Sequence, residues 1–209
     1  MVPLARALAL AAALLLPHPA GAATLLVGNK AEATVSLLDL PSGRVVATLP
    51  TGEGPHELAV SPDGKRALVA NYGTGPRPGG TLTVIDVPAA RVAKTIDLGG
   101  PRRPHGLAWL DGRRALVTAE GSKALLVVDV DAGGVVQEIP TGQEVSHMVA
   151  VAPDGSRGYV ASIGSGTLTA IDLRERKVLA VVPTGKGAEG IDVTPDGREV
   201  WVTNREADT

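Results

Sequence analysis

The stretch PHELAVSPDGKRALVANY (Pro55–Tyr72) decides the fold, because its central turn recurs along the chain. In Pro-Asp-Gly, proline presets φ and glycine allows a left-handed backbone, which is typical of a tight hairpin. The turn returns as LDGRRALVTA (Leu110–Ala119), PDGSRGYVAS (Pro153–Ser162) and PDGREVWVTN (Pro195–Asn204). Its aspartates Asp63, Asp111, Asp154 and Asp196 are 48, 43 and 42 residues apart. The chain is therefore built from a repeat of about 43 residues.

Two further markers keep the same spacing and fix the register of the repeat. One is the aspartate that closes an apolar run, namely Asp39, Asp86, Asp129 and Asp172. The other precedes the turn, as in GPHELAV (Gly54–Val60), RPHGLAW (Arg103–Trp109), VSHMVAV (Val145–Val151) and AEGIDVT (Ala188–Thr194). Each unit holds four apolar runs, which in the second unit are His105–Leu110, Arg114–Thr118, Ala124–Val130 and Val135–Thr141. This density predicts a meander of four short strands.

Strands such as LTVIDV (Leu82–Val87) and LLVVDV (Leu125–Val130) are apolar on both faces, so both faces must be covered. Four-stranded sheets stacked around an axis provide that cover. A flat sandwich would need alternating residues, and a β-helix would need a shorter period. The sequence predicts an all-β propeller of four-stranded blades, with about four blades present as part of a seven-bladed ring.

Composition excludes several classes of protein. The chain has 209 residues with 26 Gly and 16 Pro, too many turn formers for a helical fold, and its 44% hydrophobic content excludes disorder. The formal charge of −2 offers no basic field, so nucleic acid is not an expected partner. The absence of cysteine excludes disulfides, thiolate metal sites and the attachment motif of c-type haem.

The first 22 residues have the order of a secretory signal peptide. Arg6 precedes an apolar run of ten residues, Ala7–Leu16, and the small residues Ala20, Gly21 and Ala22 follow. Such a run is too short to cross a bilayer, which needs about 20 residues. We therefore expect a soluble protein without a membrane span, secreted or periplasmic, whose mature chain begins at Ala23.

The mature chain, residues 23–209, is predicted to be an incomplete propeller. The ending VTNREADT (Val202–Thr209) aligns with VGNKAEAT (Val27–Thr34), which continues directly into the strand VSLLD. On this alignment the chain stops in a loop before the third strand of a blade. We therefore expect a fragment of a longer gene product and an open arc of blades.

The strand, Pro-Asp-Gly turn and V-x-N pattern of Pro55–Tyr72 and Pro195–Asn204 resembles the YVTN repeat of bacterial propellers called surface-layer or YncE-like proteins. The resemblance covers Thr24 to Thr209 and implies the propeller fold. Similar propellers include non-enzymatic exported proteins, lactonases, the d1-haem domain of nitrite reductase, the copper propeller of nitrous-oxide reductase and propellers of quinoprotein amine metabolism. The resemblance therefore leaves the function open.

The innermost strand of each blade lines the central channel of a propeller, and we expect its first residue to lie at one rim. Those residues are His56, His105, His147 and Glu189. Three imidazoles and a carboxylate converging on one channel mouth could hold Zn, Cu or another borderline divalent ion. Alternatively, the histidines are copies of a repeat residue with no ligand. We predict these four as ligand-binding residues and assign no catalytic residue, metal or cofactor.

Other polar residues have structural explanations. The repeat aspartates are expected to cap turns rather than to act in catalysis. The loop Gly73–Gly80 is five residues longer than its counterpart and lies on the rim of the histidines. Its Arg77, together with Arg102 and Arg103, either attracts an anionic ligand or is solvated loop charge.

The function that we expect is an exported, non-catalytic propeller that binds a small ligand or a protein partner in the periplasm. Gly-x-Ser-x-Gly and His-Glu-x-x-His motifs are absent from the sequence. The alternative is a metal- or cofactor-dependent enzyme with its site at the channel mouth, similar to nitrous-oxide reductase, d1-haem, quinoprotein or lactonase propellers. A third hypothesis is a cell-surface module.

Overall fold

The computed structural model describes residues 23–100 and 102–209. Within these ranges the chain forms seventeen β-strands and one short 3-10 helix, Glu120–Ser122. The predicted signal peptide, residues 1–22, lies outside the described residues. The described part of the chain is therefore built from strands and turns, as the repeat predicts.

The strands form five antiparallel sheets, each made of strands that follow one another in the chain. The first sheet contains β1 (Thr24–Asn29), β2 (Thr34–Asp39) and β3 (Arg44–Pro50). The second contains β4 (Pro55–Val60), β5 (Arg66–Gly73), β6 (Pro78–Asp86) and β7 (Arg91–Asp97). The third contains β8 (Pro104–Trp109), β9 (Arg114–Ala119), β10 (Ala124–Asp129) and β11 (Gly134–Pro140). The fourth contains β12 (Ser146–Val151), β13 (Arg157–Ser162), β14 (Thr167–Asp172) and β15 (Lys177–Pro183), and the fifth contains β16 (Ala188–Val193) and β17 (Val200–Asn204).

The sheets are stacked through their first strands. Strand β8 packs against β4 and β12, and β12 packs against β16. These first strands are therefore the inner strands of neighbouring blades, which confirms the predicted all-β propeller. The four strands predicted in the second unit agree with β8 to β11 to within one residue at each end.

The core lies between neighbouring blades because successive side chains of a strand point to opposite faces. All six residues of β10 are buried. Leu126 belongs to the apolar cluster shared with Leu68 and Leu82 of the second sheet. Its neighbour Leu125 belongs to the cluster shared with Val160 of the fourth sheet. Both faces of β10 are thus covered, which explains why its sequence is apolar without alternation.

The repeat aspartates cap turns, as expected. Asp86 accepts a hydrogen bond from the backbone N–H of Ala89, and Asp129 accepts one from Ala132. In the hairpin turns, Asp63 accepts from Lys65 N–H, and Asp154 accepts from Ser156 N–H. Each of these carboxylates accepts a hydrogen bond within its own turn. The turns lie at the ends of the sheets opposite to the histidines.

Candidate functional site

The predicted site residues occupy equivalent places on the four inner strands. His56, His105, His147 and Glu189 are each the second residue of their strand, on β4, β8, β12 and β16. The sequence predicts them at the first position, so the inner strands begin one residue earlier than predicted. Because the inner strands lie side by side, their second residues are neighbours.

A β-bulge lies at this point in each inner strand. On β4 the pairing passes from Pro55 with Asn71 to Leu58 with Val69, so His56 and Glu57 share the irregular stretch. The pairings of β8, β12 and β16 shift at the corresponding places. A bulge redirects side chains that regular alternation would send to opposite faces. Adjacent residues of an inner strand can therefore serve the same site.

The three histidines form one continuous cluster. The ring centroids of His105 and His147 are 3.7 Å apart, and those of His56 and His105 are 4.2 Å apart. His105 is the central ring and is only 2% exposed. The structure thus brings together three imidazoles from three blades, and we call them the histidine cluster. The binding of a ligand there stays a prediction.

Close contact between β8 and β12 sets the spacing of His105 and His147. Gly106 N–H donates a hydrogen bond to the hydroxyl of Thr118 on β9 at 2.7 Å. That hydroxyl in turn donates to the carbonyl oxygen of His147 on β12. A Cβ atom at Gly106 would lie 2.6 Å from the same carbonyl oxygen. The buried hydroxyl therefore connects two blades at a place where only glycine fits.

Replacing Thr118 by valine should lower the free energy of unfolding by about 2 kcal/mol, since Gly106 N–H and the His147 carbonyl would be left buried without this partner. Urea unfolding followed by circular dichroism measures the change. The matched control is Thr95→Val, at an exposed threonine of β7, for which we expect a change below about 0.5 kcal/mol. Equal effects of the two substitutions would show that the Thr118 hydroxyl has no special role.

Glu120 is a site residue that the sequence analysis did not identify. It begins the short 3-10 helix after β9, and its Oε1 lies 2.6 Å from Nδ1 of His147. Its Oε2 accepts a hydrogen bond of 2.5 Å from the Tyr72 hydroxyl. Tyr72 and Glu120 each directly follow the last position of the V-x-N pattern in their repeat. The corresponding positions elsewhere are Lys30, Ile163 and Arg205. Because the residue at this position differs in every repeat, a comparison of repeats does not single out Glu120.

Two more carboxylates border the histidine cluster. Glu57 Oε1 lies 3.3 Å from Nδ1 of His56. Glu189 Oε1 lies 3.5 Å from Nε2 of His147 and also accepts a hydrogen bond of 3.1 Å from Arg205. Of the two, only Glu189 is predicted from the sequence. Regular alternation along β4 would have put Glu57 on the opposite face from His56, and the bulge is not visible in the sequence.

Burial and charge set the protonation of the cluster. Burial lowers the pKa of His105 from 6.5 to about 4, and the neighbouring His147 and His56 add to this effect by repulsion. The pKa of Glu57 is lowered chiefly by its hydrogen bond with His56. Burial by itself raises the pKa of Glu120, but hydrogen bonds from His147 and Tyr72 outweigh it, so this pKa is also lowered. At neutral pH the cluster therefore combines a neutral central imidazole with ionised carboxylates.

The arginines named in the sequence analysis separate into two groups. Arg77 pairs with Glu53 at 2.5 Å, and Arg102 pairs with Glu138 at 2.8 Å. Arg103 differs, because its guanidinium lies over the ring of Tyr72, 5.1 Å from the centroid. Of the three arginines, only Arg103 is in contact with a residue of the candidate site.

Among the described residues there are two sets of three side chains that could hold a metal ion. Within each set, the donor atoms lie within 4.8 Å of one another. The first set is His56, Glu57 and His105, and the second is His105, Glu120 and His147. Both use imidazole nitrogens and a carboxylate oxygen, which are ligands of borderline divalent ions. Glu189 belongs to neither set and lies beside His147.

Stacked four-stranded antiparallel sheets with neighbouring inner strands define the class of the protein as a β-propeller. Residues 20–114 match the family model described as YNCE-like beta-propeller, and over this stretch the chain is a propeller of the YNCE-like type. The resemblance seen in the repeats is thereby confirmed over these residues.

Many solved structures are similar to this chain, and two of them show the likeness in fold. One is described as a functionally unknown protein from Desulfotomaculum acetoxidans, with a TM-score of 0.72 and 19% identity over 86% of this chain and 58% of that one. The other is described as Kuenenia stuttgartiensis hydrazine synthase, with a TM-score of 0.53 and 19% identity over 87% of this chain and 77% of that one. At these identities the likeness shows the fold alone. The comparison with curated proteins found no match.

Among the described residues there is no helix with the length and apolar character needed to span a membrane.

Proposed function

We propose that this chain is an exported, non-catalytic propeller that binds a small ligand or a protein partner in the periplasm, and that the binding site is the histidine cluster. The observation that carries the proposal is the stacking of three imidazoles from three blades, with centroid distances of 3.7 and 4.2 Å. The alignment of the inner strands does not by itself require a histidine at the equivalent position of three neighbouring blades.

The surroundings of the cluster support a binding role. Burying a polar side chain without a partner costs stability, and the central imidazole of His105 is almost fully buried. Its Nδ1 has no hydrogen-bond partner among the described residues. Uncompensated polar groups of this kind are uncommon in folded proteins. A bound ligand would supply the missing partner.

Export is supported by the N-terminal sequence. Arg6, the apolar run Ala7–Leu16 and the small residues up to Ala22 have the order that secretion signals require. Removal of this segment would leave His56, His105 and His147 as the histidines of the mature chain.

The proposal is tested by native mass spectrometry of the full chain, expressed in a Gram-negative host and isolated from the periplasm. We expect N-terminal sequencing to find Ala23 within a residue or two. We also expect the native mass to exceed the denatured mass, because a ligand acquired in the cell stays bound. In His105→Ala this excess mass should be lost.

Glu175→Gln is the control, because Glu175 is exposed in the turn between β14 and β15 at the opposite end of the sheet. Circular dichroism establishes that each variant is folded. Retention of Met1 in the recovered protein would contradict export. An excess mass that His105→Ala leaves unchanged would contradict binding at the histidine cluster.

A further inference from the structure

We propose that His105, Glu120 and His147 form a binding site for one borderline divalent transition-metal ion, of the kind of Zn²⁺ or Cu²⁺. The inference rests on the proposed function, because it names the chemical class of ligand for the same cluster.

The donor set suits such an ion. Two imidazole nitrogens and a carboxylate oxygen are the ligands that zinc and copper take in proteins, whereas Mg²⁺ prefers oxygen ligands alone. The three donor atoms lie within 4.8 Å of one another. Tetrahedral zinc with bonds of about 2.05 Å needs ligand atoms about 3.4 Å apart. Small side-chain rotations would therefore close the set around an ion.

His105 has the burial and the unpaired ring nitrogen expected of a metal ligand. The residue is 2% exposed, and its Nδ1 is buried without a hydrogen-bond partner among the described residues. A neutral imidazole has one nitrogen with a free lone pair, which must either accept a hydrogen bond or coordinate. An ion between His105 and His147 would satisfy this requirement at the centre of the cluster.

The other two ligands are already held by outer groups. Tyr72 donates a hydrogen bond to one oxygen of Glu120, which leaves the other oxygen directed at His147. On the far side of His147, Glu189 lies 3.5 Å from Nε2. A carboxylate on the second nitrogen of a ligating histidine and a hydrogen bond to a ligating carboxylate are the usual outer shell of a protein metal site.

The alternative set is less enclosed. The side chains of His56 and Glu57 are 30% and 34% exposed, compared with 12% and 8% for His147 and Glu120. Its Glu57 is held by His56 itself, whereas Glu120 has the outer partner Tyr72. The ion is therefore assigned to His105, Glu120 and His147. Three protein ligands leave a fourth tetrahedral position free for water or for an exogenous ligand.

Titration of the chelator-treated full-length protein with Zn²⁺ tests the assignment. We expect calorimetry to give one ion per chain, with Mg²⁺ producing no binding heat. In long-range ¹H–¹⁵N spectra of the wild-type protein, the imidazole nitrogens of His105 and His147 should shift strongly on zinc addition. The signals of His56 should change much less.

Two glutamates provide a matched pair of variants. Substituting a group that only orients a metal ligand lowers metal affinity about 10- to 100-fold. Glu120→Gln removes a ligand itself, so it should lower zinc affinity at least about 10-fold. Glu57→Gln makes the same chemical change on the alternative set and should change affinity less than about twofold. The spectra of the wild-type protein give the answer even if Glu120→Gln does not fold.

Absence of zinc binding, equal effects of the two glutamate substitutions, or a dominant response of His56 would each overturn the assignment. If zinc does not bind while the periplasmic protein carries an organic adduct that His105→Ala loses, the metal site is wrong and the proposed binding function stands. If zinc does not bind and the adduct is unaffected by His105→Ala, both are wrong.

Discussion

Replacing Gly106 by alanine should destabilise the protein by about 3 kcal/mol, because the new Cβ would overlap the backbone of the neighbouring blade. The Cβ position lies 2.6 Å from the carbonyl oxygen of His147 and 2.8 Å from Cα of Met148. These atoms belong to β12 and cannot turn away as a flexible side chain can. The strands β8 and β12 would have to separate, and with them the rings of His105 and His147.

Urea unfolding of the variant measures the loss of stability. Gly112→Ala is the control, since nothing lies within 4 Å of a Cβ at Gly112, and we expect a change below about 0.5 kcal/mol. Equal stability of the two variants would mean that the backbones of β8 and β12 do not approach each other this closely.

The second prediction concerns pH. Stability of the chelator-treated protein should fall by about 3 kcal/mol between pH 6.5 and pH 4 through His105 alone. The pKa of His105 is about 4 in the folded state, compared with 6.5 in the unfolded chain. Between these values the unfolded chain binds more protons, so acid favours unfolding. The contribution is fully present above pH 6.5 and is lost as the pH falls towards 4.

Several groups face His105 in this titration: His56 and Glu57 from β4, Tyr72 from β5, Glu120 from the 3-10 helix and His147 from β12. The lowered pKa values of Glu57 and Glu120 also make the folded protein less stable in acid. His105→Gln should therefore reduce the pH dependence between pH 6.5 and 4 without abolishing it. Denaturant unfolding of both proteins across this range measures the difference. An unchanged pH dependence in the variant would contradict the burial of a neutral His105.

The blades and the meeting of the histidines could be predicted from the sequence, because both follow from one repeat. Equivalent positions of a repeat must occupy equivalent places around an axis, so His56, His105 and His147 had to be neighbours once their spacing was recognised. The capping role of the repeat aspartates followed for the same reason.

The positions of Glu57 and Glu120 beside the histidine cluster depend on local geometry that the repeat does not reveal. Glu57 reaches the cluster only because a bulge interrupts the pairing of β4. Glu120 reaches His147 from the preceding blade through a short 3-10 helix. The position of Glu120 carries a different residue in every repeat, and the position of Glu57 carries glycine or methionine in the other blades, so the repeat does not mark either carboxylate. The imidazoles are therefore predictable from the sequence, whereas two of the three carboxylates beside them are not.

The central claim is that imidazoles from three blades form one cluster, and nuclear Overhauser contacts between their ring protons test it most directly. In the chelator-treated protein at neutral pH, we predict cross-peaks from the ring protons of His105 to those of both His56 and His147, given centroid distances of 4.2 and 3.7 Å. Assigned spectra in which His105 shows no contact with either ring would contradict the account.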